Sequence, residues 1–527
     1  MPTLRLPLAT LVLAVMSNPC TCANILMITM GGTKSHKIPF WELARGLIPR
    51  GHNITFLNAF PADFLIPGLE EVTPAGLVFY VKNFTNWDLV GARMRGEDPV
   101  HPLDMLRYAH ESCEALLSDT ETKSFLRQHH RGTFDLLILD GAFPECALGF
   151  AHHFDAPFMY INTVGFYTGS LSNAGNPSPY SFIPFLSTDL TDSMNTLQRI
   201  RNTVWYLAAE ALHSVTVRWF LQDVVRKHFG EDVPLVYDMA KNVSFILQNG
   251  HATVTYPRPY LPNVAEIACI HCKKAKPLPE RLEEFVRGSG DAGFIYFSMG
   301  SSVKAANMPV YLRKMLMVVF RKLPQRVLWK YETDDEMADL PSNVLLGRWL
   351  PQQDILGHPK LKAFVTHGGL LSMFEAVYHA VPIITMPVFC DHDSNAAKAE
   401  TDGYALKLDL TTLTAEKLLS AIRKVIQDPK YREAAQKRQR LLLDQPETSL
   451  ERAIFWTEYV LRHKGAMALQ SPSRHFGVLQ YYLVDVIAIL VLSLLACYYA
   501  TKFLTRLVAN YAVQSYVSED YAHGKVE

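Results

Sequence analysis

The chain is 527 residues long, 49% hydrophobic, and balances 51 Lys+Arg against 51 Asp+Glu. That length allows about two to four domains with ample cores, and a zero net charge excludes the broad basic surface that nucleic-acid binding requires. Its 31 prolines are spread along the chain, which fits the short loops of an α/β protein and excludes a Pro-rich disordered tract.

At the N-terminus Arg5 precedes an apolar run over 6–16, with small residues at Thr21 and Ala23. This pattern predicts a signal peptide over 1–23, too short to span a bilayer. Asn24–Met30 reads as a strand, 31–36 (GGTKSH) as a turn, 39–51 as a helix and 52–57 as the next strand, a β-α-β start without GxGxxG. Two more strands are expected at 134–140 and 156–161. The segment from about 165 to 240 is helical, aromatic and Pro-interrupted; lining an apolar pocket and packing on a membrane or the core are both open to it. A Lys/Pro- then Gly-rich stretch at 273–293 is the expected linker. Strands restart at 294–302, 327–330, 344–346, 364–366 and 383–386. The expected architecture is two doubly wound, Rossmann-like α/β domains, 24–272 and 294–460, facing a cleft.

After a juxtamembrane segment (461–480), residues 481–500 form an apolar stretch of about 30 Å as a helix, enough to cross the hydrocarbon core. Tyr481, Tyr482, Tyr498 and Tyr499 bracket it as an aromatic belt, and Asp485 lies near its first edge. With a signal peptide in front, the body is expected in a lumen and the tail, 501–527, in the cytosol. Sequons begin at Asn53, Asn83 and Asn242; Asn53 opens a strand expected to be buried, which argues against its use. Of eight cysteines, Cys20 and Cys22 leave with the signal and Cys497 lies in the membrane, so an odd set remains and at least one thiol is unpaired. Cys269 and Cys272 form a CxxC for which a local structural role is expected, zinc lacking a second ligand pair.

The segment Phe364–Asn395, FVTHGGLLSMFEAVYHAVPIITMPVFCDHDSN, carries the most chemistry. FVT reads as a buried parallel strand and His367–Gly368–Gly369 as a tight turn. Leu370, Leu371, Phe374, Val377 and Tyr378 then mark one apolar helix face, stopped by Pro382. A small-residue turn opening a helix after a parallel strand attracts anions, because backbone N–H groups and the positive helix end point outward. Glu375 on that helix suits ribose hydroxyls, and Asp391 reaches the same rim after the next strand. The ordered string resembles the signature of the UDP-glycosyltransferase family, and LeuLeuSer after HisGlyGly is similar to its invertebrate, insect-type branch.

The resemblance extends over nearly the whole chain and is most specific between about 294 and 405. It implies a GT-B type fold and an inverting transfer of a hexose from a UDP-sugar to a hydroxyl of a small lipophilic acceptor (a xenobiotic, phenolic, pigment or hormone). UDP-sugar is then a co-substrate, and neither cofactor nor metal is required. The family's catalytic histidine falls on His36 as general base, supported by Asp140 at the end of its strand; Glu145 and Asp155 are alternatives further along. Trp349 and Gln352, in the segment 347–359, resemble the uracil-binding stretch. Gly300 and Ser301 form a second small turn beside the diphosphate, Ser302 adds a hydroxyl, and His367, Gly368, Gly369, Glu375, Asp391 and Asn395 complete the donor site. One departure stands out: His392 occupies the place of the usual Gln beside Asp391. Glucose is the favoured hexose, with UDP-galactose and UDP-glucuronate as alternative donors. A non-catalytic membrane-bound binder of lipophile or nucleotide-sugar, and a glycan- or lipid-elongating transferase, are the rival readings. The family also implies an endoplasmic reticulum membrane protein with a single C-terminal span and a luminal body; homo-oligomerisation is left open.

Overall fold

The computed structural model describes residues 22–84, 86–142, 144–164, 168–333 and 339–523. Nearly all of the expected signal peptide lies outside them. Residues up to Gln470 form one compact unit and those from Ser471 a second.

Among the described residues the first unit holds two parallel sheets. The seven-stranded sheet comprises β1 (Asn24–Ile28), β2 (Asn53–Leu57), β3 (Leu69–Val72), β4 (Leu136–Asp140), β5 (Phe158–Asn162), β6 (Ile246–Gln248) and β7 (Val264–Glu266), in the order β3-β2-β1-β4-β5-β6-β7. The six-stranded sheet comprises β8 (Phe294–Ser298), β9 (Arg326–Lys330), β10 (Val344–Gly347), β11 (Leu361–Thr366), β12 (Ile383–Thr385) and β13 (Ala405–Lys407), in the order β10-β9-β8-β11-β12-β13. The expected doubly wound architecture is thus present twice. Its strands read as continuous apolar runs because helices cover both faces, and β4, β5 and β8 are buried along their whole length.

In each sheet the strand order reverses once, between β1 and β4 and between β8 and β11. Crevices beyond the carboxyl ends of strands at such switch points are where open α/β sheets take ligands. His36 and Asp140 follow β1 and end β4; Gly300 and His367 follow β8 and β11. The helix after β1 begins at Lys34 rather than Pro39, which brings His36 into its first turn. The helix Leu89–Met94 contributes Leu89 and Val90 to the core beneath the second sheet. The helix Ser449–Arg462 packs against Lys34–Leu47: a side chain at Gly46 would collide with Ile454.

Cysteines pair as Cys113–Cys146 and Cys269–Cys272; Cys22, Cys390 and Cys497 are thiols, and of the five cysteines between the expected signal and the expected span Cys390 is the odd one. Asn53 is exposed while the rest of its strand is buried, and its amide donates to Asn24 Oδ1 at 2.9 Å. Asn83 and Asn242 are exposed at a helix end and in a 3-10 turn.

In the second unit a single helix is long and apolar enough to cross a membrane, among the described residues. It runs Val484–His523 instead of starting at 481, because Leu483 adopts a left-handed φ of +55° that separates it from the short helix Val478–Tyr481. The expected tail therefore continues as helix through His523.

Candidate active site

Three neighbouring strand ends build the first half of the site. After β1 the turn carries Gly32 with φ +72°; a Cβ there would lie 2.8 Å from the His36 ring, so only glycine lets the imidazole fold back over the turn. Gly32 N–H donates to the buried Tyr108 hydroxyl at 2.9 Å. His36 Nδ1 stands 3.2 Å from Asp140 Oδ2, at the end of β4, and 2.8 Å from Thr163 Oγ1, just past β5. Thr163 donates to Asp140 Oδ1 at 3.3 Å, and Ala142 N–H donates to the same oxygen at 3.1 Å. Asp140 therefore caps its turn and orients His36 at once. With Asp140 an acceptor and the Thr163 hydrogen directed to it, Nδ1 is the protonated nitrogen, and Nε2 keeps its lone pair.

Lys37, next to His36, is fully buried and donates to the Gly31 carbonyl. Burial pulls its ammonium down to about 8, against an opposing pull from the Asp140 charge.

The second half lies at the ends of β8, β11 and β12. Gly300, at φ +76°, has no room for a side chain because a Cβ would sit 2.3 Å from the His367 ring. Lys330 Nζ donates to the Gly300 carbonyl at 2.8 Å and pairs with Glu332 at 2.7 Å. Trp349 is 59% exposed, with Lys34 Nζ 4.6 Å and Lys330 Nζ 5.6 Å from its ring centroid. His367 is buried, pairs with Thr366 Oγ1 at 3.1 Å and stands edge-on to His392 at 4.5 Å. Burial, then His392 and Lys330, hold it neutral, well below the usual histidine range. Gly369 caps the helix Leu370–Tyr378.

Past β12, Asp391 and His392 open the helix His392–Thr401. Asn395 Nδ2 donates to Asp391 Oδ2 at 2.8 Å and to the Gly368 carbonyl at 3.0 Å, fastening this turn to the HisGlyGly turn. Burial raises the Asp391 carboxyl, with Asn395 and the His36 imidazole acting the other way. Phe389 N–H donates to His392 Nδ1 at 3.3 Å, so the neutral ring presents Nε2–H as a donor. Burial, aided by Arg93, depresses His392 to about 3.

The halves meet directly. Ser301 Oγ donates to Thr33 Oγ1 at 3.2 Å, and Arg93 reaches Asp393 at 3.0 Å. Two of the residues expected at the donor bond each other: Gln352 Nε2 donates to Glu375 Oε2 at 2.6 Å and to Ser372 Oγ at 3.0 Å, while its Oε1 accepts from Tyr296 at 3.2 Å. The Gln352 amide thus holds Glu375 and the neighbouring helix. Glu145 and Asp155 stand apart from His36: Glu145 pairs with His213 at 2.6 Å and Asp155 with Arg131 at 2.6 Å. Among the described residues no cluster of His, Cys, Asp and Glu is arranged to hold a metal ion.

Residues 83–520 match the family model described as UDP-glucoronosyl and UDP-glucosyl transferase. The chain belongs to this family. UDP-glucosyltransferase 2 of Dactylopius coccus is 32% identical over 507 residues, covering 94% of this chain and 97% of that protein. UDP-glucuronosyltransferase 2B17 of Homo sapiens is 34% identical over 483 residues, covering 88% of each. In fold, the chain is similar to the glycotransferase of kitacinnamycin (TM-score 0.54, 17% identity, 83% of this chain and 98% of that one). It is equally similar to a UDP-glucosyltransferase from Polygonum tinctorium (TM-score 0.54, 16% identity, 84% and 99%). The family and GT-B fold expected from the HisGlyGly segment are therefore established: the protein is a UDP-glycosyltransferase, and a UDP-sugar is its co-substrate.

Within this UDP-glycosyltransferase, Thr163, Lys37, Lys34 and Asp393 stand beside the residues that the motifs marked, although no motif marked them. Thr163 lies 127 residues from His36, and only the β4-β5 pairing brings it there. Lys34 and Lys37 flank His36, and a reading of charge alone assigns such lysines to solvent.

Proposed function

We propose that this enzyme transfers glucose from UDP-glucose, with inversion, to a hydroxyl of a small lipophilic acceptor. His36 Nε2 takes the acceptor proton as its oxygen attacks the anomeric carbon, and the bond to the UDP oxygen breaks with its electron pair leaving on UDP. Asp140 and Thr163 keep Nδ1 protonated and stabilise the imidazolium that forms. The observation that carries this reading is the His36–Asp140 contact at 3.2 Å, at the switch point of one sheet and facing the Gly300–Ser301 turn of the other.

On the donor side, Trp349 stacks on uracil, the Gly300–Ser301 and His367–Gly369 turns hold the diphosphate, Glu375 binds ribose, and Asp391, His392 and Asn395 face the hexose. A neutral hexose suits that end better than glucuronate. The groups there are a carboxyl and an uncharged imidazole, and Arg93 and Lys407 both pair with Asp393, at 3.0 and 2.9 Å. The imidazole in place of an amide supports a second reading, UDP-galactose as donor, because its single N–H donates to a different hydroxyl pattern. The apolar helix Val484–His523 supports anchoring in a membrane, with the endoplasmic reticulum and a luminal body as the proposed setting.

The test is transfer from radiolabelled UDP-glucose, UDP-galactose and UDP-glucuronate in competition, with a panel of phenolic acceptors, on wild type and His392→Gln. Glucose transfer by wild type is expected to lead. Absence of transfer from all three donors defeats the proposed chemistry; preference for galactose that reverts with His392→Gln selects the second reading.

A further inference from the structure

The turn Cys269–Cys272 leads out of the first sheet toward the linker and lies behind the donor site. Its ends are joined by the Cys269–Cys272 disulfide, and Cys272 N–H donates to the Cys269 carbonyl at 2.9 Å. Cys269 adopts a left-handed φ of +63°, a conformation a residue with a side chain keeps only where its surroundings hold it. Between the two cysteines His271 is 2% exposed, and its Nε2 lies 3.0 Å from Glu375 Oε1. The other carboxylate oxygen takes the Gln352 amide at 2.6 Å. Gln353 fastens the backbone of the turn, donating to the His271 carbonyl at 3.0 Å and accepting from Lys273 N–H at 2.7 Å.

A glutamate on a helix surface samples several rotamers. Here donors on opposite oxygens leave the Glu375 carboxylate one orientation. Each oxygen has two lone pairs, so each keeps one for a ligand hydroxyl. His271 Nδ1 is buried without a hydrogen-bond partner among the described residues, so the bond to Glu375 is the polar contact that fixes the ring's direction.

We propose that His271 is a positioning residue for the donor: it fixes the Glu375 carboxylate toward the ribose of UDP, and the Cys269–Cys272 disulfide holds His271 in place. The inference rests on the UDP-sugar reading of the site with Glu375 as ribose ligand. It makes donor affinity sensitive to thiols. A dithiol that reduces the bond becomes a cyclic disulfide as two electrons and two protons pass to the cysteines, and the turn that aims His271 is released.

The experiment measures UDP affinity by calorimetry, and KM and kcat for the UDP-sugar at saturating acceptor, on the full-length enzyme. His271→Ala is expected to weaken UDP binding and raise donor KM about tenfold, the scale of one charge-assisted hydrogen bond, with kcat and acceptor KM within about twofold. His271→Gln, whose amide reaches the same oxygen, restores most of the affinity, whereas the shorter His271→Asn does not. The Cys269→Ser/Cys272→Ser pair raises donor KM in the same direction. Dithiothreitol does so for wild type and has no further effect on the pair, which separates this bond from Cys113–Cys146. Unchanged donor KM in His271→Asn and in the cysteine pair, or a loss confined to kcat, overturns the proposal while transfer by wild type leaves the UDP-sugar reading standing. A wild type that binds no UDP overturns both.

Discussion

Ser301 and Thr33 belong to different sheets, and the Ser301 hydroxyl donates to Thr33 at 3.2 Å. Thr33 is the N-cap of the helix that carries His36 in its first turn, and Ser301 follows Gly300 in the turn after β8. This one contact sets the turn that carries His36 against the Gly300–Ser301 turn.

If His36 Nε2 is the base, its removal affects chemistry and not donor binding. His36→Ala is expected to lower kcat by about 10² to 10⁴ with UDP affinity unchanged. Asp140→Asn causes a comparable loss, because an amide can present an N–H to Nδ1 and move the ring proton to Nε2. Thr163→Val costs about tenfold, the scale of one hydrogen bond, and Thr163→Ser recovers it. Initial rates at saturating donor, beside UDP calorimetry, check all three; turnover retained by His36→Ala removes it as the base.

Trp349 exposes its ring while Lys34 and Lys330 lie against it, at 4.6 and 5.6 Å. Stacking a base on such a face contributes about 1–3 kcal/mol. Trp349→Ala is expected to weaken UDP binding by about 10- to 100-fold, with Trp349→Phe between it and wild type. Equal affinity in Trp349→Ala and wild type places the base elsewhere.

Strand ends and turn glycines were legible because their chemistry is local. Short apolar runs followed by GGTKSH, LDGAF, SMGSS or THGG announce strand, turn and helix in order, and at a parallel sheet's carboxyl edge that order places His36, Asp140, Gly300 and His367. Thr163 was not legible. A threonine after a strand carries no signal until the pairing of β4 with β5 is known. His271 was hidden in the same way, since its partner Glu375 is 104 residues away and joins it through packing of the turn on a helix. Gln352 was assigned to the ligand by motif, and the structure engages its amide with Glu375 and Ser372. The C-terminal apolar helix was recognised by composition, but its start depends on the left-handed backbone of Leu483, which no apolar run reveals.

His392 lies at about 3 when folded, against 6.5 for the ordinary side chain. Between those values the unfolded chain binds a proton that the folded protein does not, so stability rises with pH across the window and is lost as pH falls from 6.5 toward 3. His392→Gln removes that contribution. Its melting temperature is expected to fall less steeply than that of wild type between pH 6.5 and 4, with the depressed His367 keeping a residual slope. Parallel acid slopes in thermal denaturation count against a buried neutral His392.

Lys37 makes the opposite end of the pH range informative. Its ammonium is fully buried, with a pKa of about 8 when folded and 10.5 for the ordinary side chain. Below pH 8 both states carry the proton, and the fold bears the cost of a buried charge. Between 8 and 10.5 the unfolded chain holds a proton that the folded one has released, so this group makes stability rise with pH there. Lys37→Met keeps the apolar stem and removes the charge. Relative to wild type, the variant is expected to be most stable near pH 7 and to lose that advantage progressively toward pH 10, when the two are melted side by side. A stability difference that stays constant across this range shows that Lys37 does not titrate there and that its bond to the Gly31 carbonyl alone sets its contribution.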